Sequence, residues 1–267
     1  MSKIKLYILP LIFAVTFSCS DYQKLLKSND NELKYARAVE YFDKKDYYKA
    51  QTLLEDLRGI FRGTDKAEMV SYYYAYTTYE MGELSLAAYL FKNHAMTFPS
   101  SSKKEEVEFM AAYCYYLISP EPSLDQTYTK SAITELQNFI EKYPNSGKRS
   151  EAEELLSKLQ FKLETKAYNN AMLYFRIMDY KAAIIALKNV LAEFPDTRYR
   201  EDIMFTIIKA SYFLAENSIY SKQIERYKAT INEYLNFVDK FPDSKRIKEA
   251  EKIYTNSLKI LESKNGL

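Results

Sequence analysis

The sequence predicts an all-α fold, a tetratricopeptide-like solenoid of about five helical hairpins followed by a C-terminal capping helix. The first observation is composition, because the 267 residues include only five Gly, seven Pro and no Trp, while residues of high helix propensity are abundant. The second is a repeated pattern, in which a proline follows Phe or Tyr and precedes Ser or Thr by one or two positions. The prolines of this pattern are Pro99, Pro144, Pro195 and Pro242.

A small residue stands twelve positions before each of these prolines. Proline ends a helix because it lacks the backbone N–H group, and a small side chain lets two helices approach closely. A fixed distance between the two signals is typical of stacked helical hairpins, which bury their apolar sides against their neighbours. The prolines are 45, 51 and 47 residues apart, so some elements are longer than in the 34-residue tetratricopeptide unit. The small residues are Ala87, Ala132, Ala183 and Thr230.

These signals divide the chain into five repeats. A degenerate first copy has Ala50 and, twelve residues later, Arg62 in the place of the proline. The proline-rich stretch 119–123 lengthens the third repeat. The fourth opens with a long helical pattern, Ser150–Met178, for which a coiled coil is the alternative interpretation. One solenoid spanning 31–267 is predicted, with repeats at 31–64, 65–100, 101–146, 147–197 and 198–244 and a closing helix at 245–264.

The N-terminal segment predicts export. Lys3 and Lys5 precede the apolar run Leu6–Phe17, which is shorter than the roughly 20 residues that a membrane-spanning helix needs. We therefore expect residues 1–18 to be a signal peptide and residues 19–30 a polar tether. The run Thr16-Phe17-Ser18-Cys19 resembles a bacterial lipobox, although Thr16 stands where Leu is usual. That resemblance implies that Cys19 is acylated, and the alternative is a signal peptide cleaved without lipidation.

Several stretches together resemble the BamD family, the tetratricopeptide lipoproteins of the outer-membrane β-barrel assembly machinery. They are Tyr143-Pro144-Asn145-Ser146, Tyr174-Phe175, Phe194-Pro195-Asp196-Thr197 with Arg200-Glu201-Asp202, and Leu86-Ala87-Ala88 in the second repeat. With Cys19, the resemblance covers essentially the whole chain after the signal peptide. The first repeat departs from the pattern because it lacks the proline.

The resemblance implies a non-catalytic scaffold that binds a BamA-like β-barrel assembly protein and unfolded outer-membrane protein clients. It also implies attachment to the lipid bilayer through acylated Cys19, on the periplasmic face of the cell outer membrane. The alternative with the same architecture is a periplasmic adaptor lipoprotein for cell-wall or secretion machinery.

Residues with typical catalytic or metal-binding spacing are not found in the sequence. His94 is the single histidine, and Cys19 and Cys114 lie far apart, so we expect no metal site, no cofactor and no enzyme activity. We expect His94 and Cys114 to pack between helices. Removal of residues 1–18 leaves 36 basic and 36 acidic residues, and this balance argues against nucleic-acid binding.

Aromatic residues form a stripe on the first helices of three successive repeats. The chain has 26 Tyr and 15 Phe, and spacings of three and four place several of them on one helical face. We expect this stripe to line a groove for an extended peptide, whose backbone the tyrosine hydroxyl groups would bind. The alternative is that these side chains fill gaps between helices. The candidate residues are Tyr35 and Phe42, then Met69, Tyr72, Tyr76 and Tyr79, then Phe109, Tyr113 and Tyr116.

Overall fold

The computed structural model describes residues 21–265, which contain eleven long helices and no β-strand. The predicted all-α, tetratricopeptide-like class is confirmed, because the helices follow one another as antiparallel pairs joined by short turns. The helices are α1 (Asn31–Asp43), α2 (Tyr47–Ile60), α3 (Ala67–Glu80), α4 (Leu84–Thr97), α5 (Lys104–Ile118), α6 (Thr127–Lys142), α7 (Arg149–Arg176), α8 (Tyr180–Glu193), α9 (Arg200–Glu216), α10 (Tyr220–Lys240) and α11 (Ile247–Asn265).

Local sequence sets the helix ends. The side chains of Asp30, Asp46 and Asp179 accept hydrogen bonds from backbone N–H groups in the first turns of α1, α2 and α8, as N-cap residues do. Four of the second helices in the hairpins end at the aromatic residue before the repeated proline, as the sequence predicted. The small residues that precede these prolines, and Ala50 in the first hairpin, have no exposed surface.

The hydroxyl group two residues after each proline links the two helices of its hairpin by a hydrogen bond. It donates a hydrogen bond to a glutamate of the hairpin's first helix, which lies in the first turn of that helix in three of the four hairpins and in the middle of α7 in the fourth. It also accepts a hydrogen bond from a backbone N–H group two residues ahead. The recurring Ser or Thr is therefore a structural clasp between the two ends of a hairpin. The pairs are Ser101 with Glu68 at 2.7 Å, Ser146 with Glu105 at 2.5 Å, Thr197 with Glu164 at 2.6 Å and Ser244 with Glu201 at 2.6 Å.

Three hairpin turns use a residue with left-handed backbone geometry. Gly82 has φ +80°, and Lys45 and Met178 occupy the equivalent positions with φ +61° and +65°. The N–H group after each of them bonds to a carbonyl group five residues back, which closes the helix end. Only Gly adopts this geometry without steric cost.

The described chain forms two compact units. The first consists of 21–120 and 125–159, and the second of 121–124 and 160–265. In the first unit, one apolar cluster joins α1 to α5 and is built around Leu53, Leu54 and Phe91. A second cluster joins α5, α6 and the beginning of α7 through Phe139 and Leu159.

The second unit has its own core. Leu187 of α8 packs with residues of α7 and α9 in one cluster. Phe237 of α10 packs with residues of α9 and α11 in another, and Tyr227 and Leu261 belong to a third. The side chain of Lys166 donates hydrogen bonds to three backbone carbonyl groups of residues 122–124.

The segment predicted as a polar tether is ordered over its described part. Residues 21–26 are helical, and the Tyr22 side chain is buried against Tyr41, with ring centroids 5.8 Å apart. Leu25 and Leu26 pack on the core of the first unit. Apolar contacts from these three residues therefore hold a segment that composition alone suggested was free. Cys19 and the predicted signal peptide lie outside the described residues.

Candidate functional site

The predicted aromatic stripe is centred on α3, where Tyr72 and Tyr76 share one acceptor. Their hydroxyl groups donate hydrogen bonds to the same oxygen of Glu106 in the first turn of α5, at 2.6 and 2.5 Å. The second carboxylate oxygen is 3.3 Å from Lys103 Nζ. The two rings lie 4.7 Å apart, and Tyr76 also packs edge-on against Phe91 at 5.0 Å. The stripe is thus fixed to the next hairpin by a charged hydrogen-bond network.

Burial and this network shift the pKa values of its members in opposite directions. Burial raises the pKa of Tyr72 and Tyr76 above the ordinary value, and the Glu106 carboxylate raises both further. Burial also raises the pKa of Glu106, but the two hydroxyl groups and Lys103 outweigh it, so the pKa lies below its ordinary value. The carboxylate is therefore ionised and both phenols are protonated near neutral pH.

The other α3 positions of the stripe make no hydrogen bond to Glu106. Met69 and Tyr79 are half-buried. Burial raises the pKa of Tyr79, and the neighbouring Tyr113 of α5 contributes to the shift. The ends of the α3 stripe thus have partly exposed side chains, whereas the hydroxyl groups at its centre are occupied.

The α1 part of the stripe packs against α3 and against the residue that follows α2. Phe42 lies 5.0 Å from the Tyr73 ring, and Tyr35 lies 6.2 Å from Phe61. Both side chains are half-buried. The structure therefore brings the α1 and α3 residues to adjacent helices of one unit.

The α5 part divides between core and surface. Phe109 is 4% exposed and contacts Phe139 of α6, so it belongs to the core. Tyr113 stacks on Phe109 and Tyr116 stacks on Tyr113, with centroids 6.0 Å apart in each pair. Tyr113 and Tyr116 are half-buried. Of the three candidates on α5, only these two tyrosines present surface to a ligand.

Sequence reasoning missed Glu106, although the repeat contains a signal for it. Glu106 lies 34 residues after Tyr72, and in the second unit Tyr168 donates to Asp202, also 34 residues ahead. Arg246 pairs with Asp202 as Lys103 pairs with Glu106. A search for an acidic residue 34 positions after a tyrosine on the first helix of a repeat would have found both acceptors.

His94 and Cys114 are both buried, as the sequence suggested. Neither ring nitrogen of His94 has a hydrogen-bond partner, and burial lowers the pKa of the imidazole, against a smaller opposing effect of Glu68. Burial raises the pKa of the Cys114 thiol to about 12, so the thiol stays protonated.

Residues 21–265 contain no group of three or more His, Cys, Asp or Glu side chains placed to hold a metal ion. Within the same residues, no helix combines the length and the apolarity that crossing a membrane requires.

Comparison with known families agrees with the repeat architecture. The family model YfiO, described as outer membrane lipoprotein, matches residues 27–223. The chain belongs to the YfiO family. This match confirms the family resemblance predicted from the repeats, and it spans all three helices of the aromatic stripe.

One curated relative and one solved structure are also similar to this chain. A protein of Aquifex aeolicus (strain VF5), named as a candidate outer membrane protein assembly factor BamD, is 25% identical over 227 residues, covering 85% of this chain and 71% of its own length. The crystal structure of the P58(IPK) tetratricopeptide domain matches with a TM-score of 0.43 and 15% identity, covering 89% of this chain and 68% of that one.

Proposed function

We propose that the protein is a non-catalytic lipoprotein scaffold of the outer-membrane β-barrel assembly complex, which binds unfolded outer-membrane proteins and a BamA-like barrel protein. The observation that carries the proposal is the aromatic stripe on α1, α3 and α5, within the region matched by the YfiO family. The Aquifex relative, whose name describes an assembly factor, supports the same function.

The stripe suits a client in extended conformation. An extended chain presents alternate side chains to one surface, and strands destined for an outer-membrane barrel have apolar residues at that spacing. Half-buried tyrosines provide apolar area at low entropic cost. Met69, Tyr79, Tyr113 and Tyr116 are half-buried and are among the positions that offer this surface.

Glu106 changes how the central tyrosines take part. Glu106 accepts hydrogen bonds from both Tyr72 and Tyr76, so their hydroxyl groups already have a partner and the client contacts their rings. Tyr79, Tyr113 and Tyr116 then make the hydrogen bonds to the client backbone that we expected from the sequence. The network keeps the rings in place before the client arrives, which lowers the cost of ordering them.

The proposal includes attachment by acylated Cys19 to the periplasmic face of the outer membrane. Cys19→Ser should release the protein from the membrane fraction or leave the signal peptide uncleaved. Cleaved Cys19→Ser protein that remained in the membrane fraction would contradict the lipid anchor.

Affinity purification of the intact lipoprotein from detergent-solubilised membranes tests the complex. Recovery of a BamA-like barrel protein together with unfolded outer-membrane proteins is the expected result. Reproducible recovery of cell-wall or secretion components without a barrel protein would support the adaptor alternative and overturn the assembly proposal.

A further inference from the structure

A second candidate binding site lies in the first unit, at a cleft of about 920 Å³ between the C-terminal ends of α2 and α4 and the beginning of α3. Its lining includes Arg58 and Arg62 but no acidic residue. Ser71, Asn93 and Phe98 add hydroxyl, amide and aromatic groups. The volume is in the range of natural ligand sites, and the charge of the lining is entirely positive.

The two arginines have no anionic partner among residues 21–265. Other arginines, such as Arg149 and Arg246, form ion pairs with neighbouring carboxylates. The Arg58 guanidinium instead stacks on Tyr74, 4.4 Å from the ring centroid. Burial raises the pKa of the Tyr74 phenol, and there Glu55 and Arg58 act in opposite directions. Stacking holds the face of the guanidinium and leaves N–H groups at its edge for an acceptor.

The backbone around the arginines is open to a ligand. A Cβ atom added to Gly59 or Gly63 would meet no atom within 4 Å, so a peptide backbone can approach both residues closely. Arg58 lies in the last turn of α2, and Arg62 lies four residues later in the turn that follows the helix. Alternate side chains of an extended peptide are about 6.6 Å apart, a distance that two long arginine side chains span readily.

The cleft is separate from the aromatic stripe. Ala67 and Ser71 line the cleft, whereas Tyr72, Tyr76 and Tyr79 belong to the stripe on the same helix. At about 100° per residue, these two sets lie on different faces of α3. One helix therefore separates two surfaces of different chemistry.

We propose that this cleft binds an extended acidic peptide segment of a partner protein, with carboxylates at alternate positions held by Arg58 and Arg62. Bidentate arginine–carboxylate hydrogen bonds give the site its charge selectivity. Asn93 and Ser71 provide polar groups for the peptide backbone, and Phe98 provides apolar contact area. The proposal does not depend on the function of the aromatic stripe.

Fluorescence anisotropy of labelled peptides with the full-length protein in detergent tests this site. The probe is a capped seven-residue peptide with three Glu residues at alternate positions and Thr at the other four. One comparison peptide has the same composition with its three Glu residues adjacent, and a second has Gln in place of Glu. We expect the alternating peptide to bind most tightly, with an affinity that falls as salt rises.

The variants separate binding from folding. Arg58→Gln and Arg62→Gln should each weaken binding by about tenfold, because each loses a charge-assisted contact. Gly59→Leu should block the cleft while the thermal midpoint stays equal or rises, because Gly disfavours helix. The matched control is Arg176→Gln, which removes another exposed, unpaired arginine from the last turn of a helix and should leave binding unchanged.

Three results of the peptide and variant comparisons would overturn the proposal. They are equal affinity for the alternating and adjacent peptides, equal loss in Arg176→Gln, and full binding by Gly59→Leu. Competition by inorganic phosphate without any preference for peptide spacing would show a simple anion site and would equally exclude a peptide cleft.

Discussion

Replacing Glu106 tests the network at the centre of the stripe. Glu106→Ala removes the acceptor for Tyr72 and Tyr76 and the partner of Lys103. A hydrogen bond to a charged group contributes about 1.5–3 kcal/mol. The Glu106 side chain is 42% exposed, so water partly replaces it, and we discount the two bonds together to about 1–2 kcal/mol of unfolding free energy.

Urea unfolding followed by circular dichroism measures the loss. Tyr72→Phe with Tyr76→Phe, made alone and in the Glu106→Ala background, completes a double-mutant cycle. We expect a coupling free energy of about 1 kcal/mol, because the tyrosine changes cost little once the acceptor has gone. Additive effects, or a Glu106→Ala loss below about 0.3 kcal/mol, would refute the network as a stabilising element.

The pH dependence provides an independent check of the same network. Because the folded pKa of Glu106 lies below its ordinary value, its contribution to stability is fully present above the unfolded pKa of about 4.3. That contribution is lost as pH falls through this value toward the folded pKa. The stability difference between wild type and Glu106→Gln should therefore narrow below about pH 4.

Three further predictions concern packing and backbone geometry. His94 is buried without a hydrogen-bond partner, and burial lowers its pKa. The free energy of unfolding should therefore fall as pH drops below the unfolded pKa of about 6.5. In thermal unfolding between pH 5 and 8, His94→Leu should make the stability less dependent on pH. Ala87 has no exposed surface, so Ala87→Leu should lower the unfolding free energy by about 1–3 kcal/mol in urea titrations, whereas full stability would show a loose helix contact. Gly82 has φ +80°, so Gly82→Ala should cost about 1 kcal/mol, and an unchanged urea midpoint would contradict the strain argument.

The sequence alone was sufficient to predict the hairpins, because their signals are local. Proline and the aromatic residue before it end helices through backbone geometry, and the small residue twelve positions earlier is buried in every repeat. The Ser or Thr after the proline was visible as a pattern. Its role as a clasp depends on a glutamate 33 to 43 residues away, which periodicity does not identify.

Contacts between distant residues account for what the sequence did not predict. Tyr22 appeared to belong to a tether because its burial depends on Tyr41 of the first hairpin. Phe109 matched the stripe in helical spacing, but α6 covers it through Phe139. Spacing along one helix shows which side chains share a face, whereas the neighbouring helix decides whether that face is exposed.

Binding of a barrel-derived peptide to the aromatic stripe tests the central claim most directly. The probe is a labelled synthetic peptide with alternating aromatic and aliphatic residues, as in a barrel strand. Met69→Ala and Tyr79→Ala, singly and together, are compared with Tyr89→Ala, a control at a 61% exposed tyrosine outside the stripe. We predict that each stripe variant loses about 1–2 kcal/mol of binding with little change in thermal midpoint, and that the control binds normally. Unchanged peptide affinity together with a lowered midpoint would show that the stripe is core and would contradict the account.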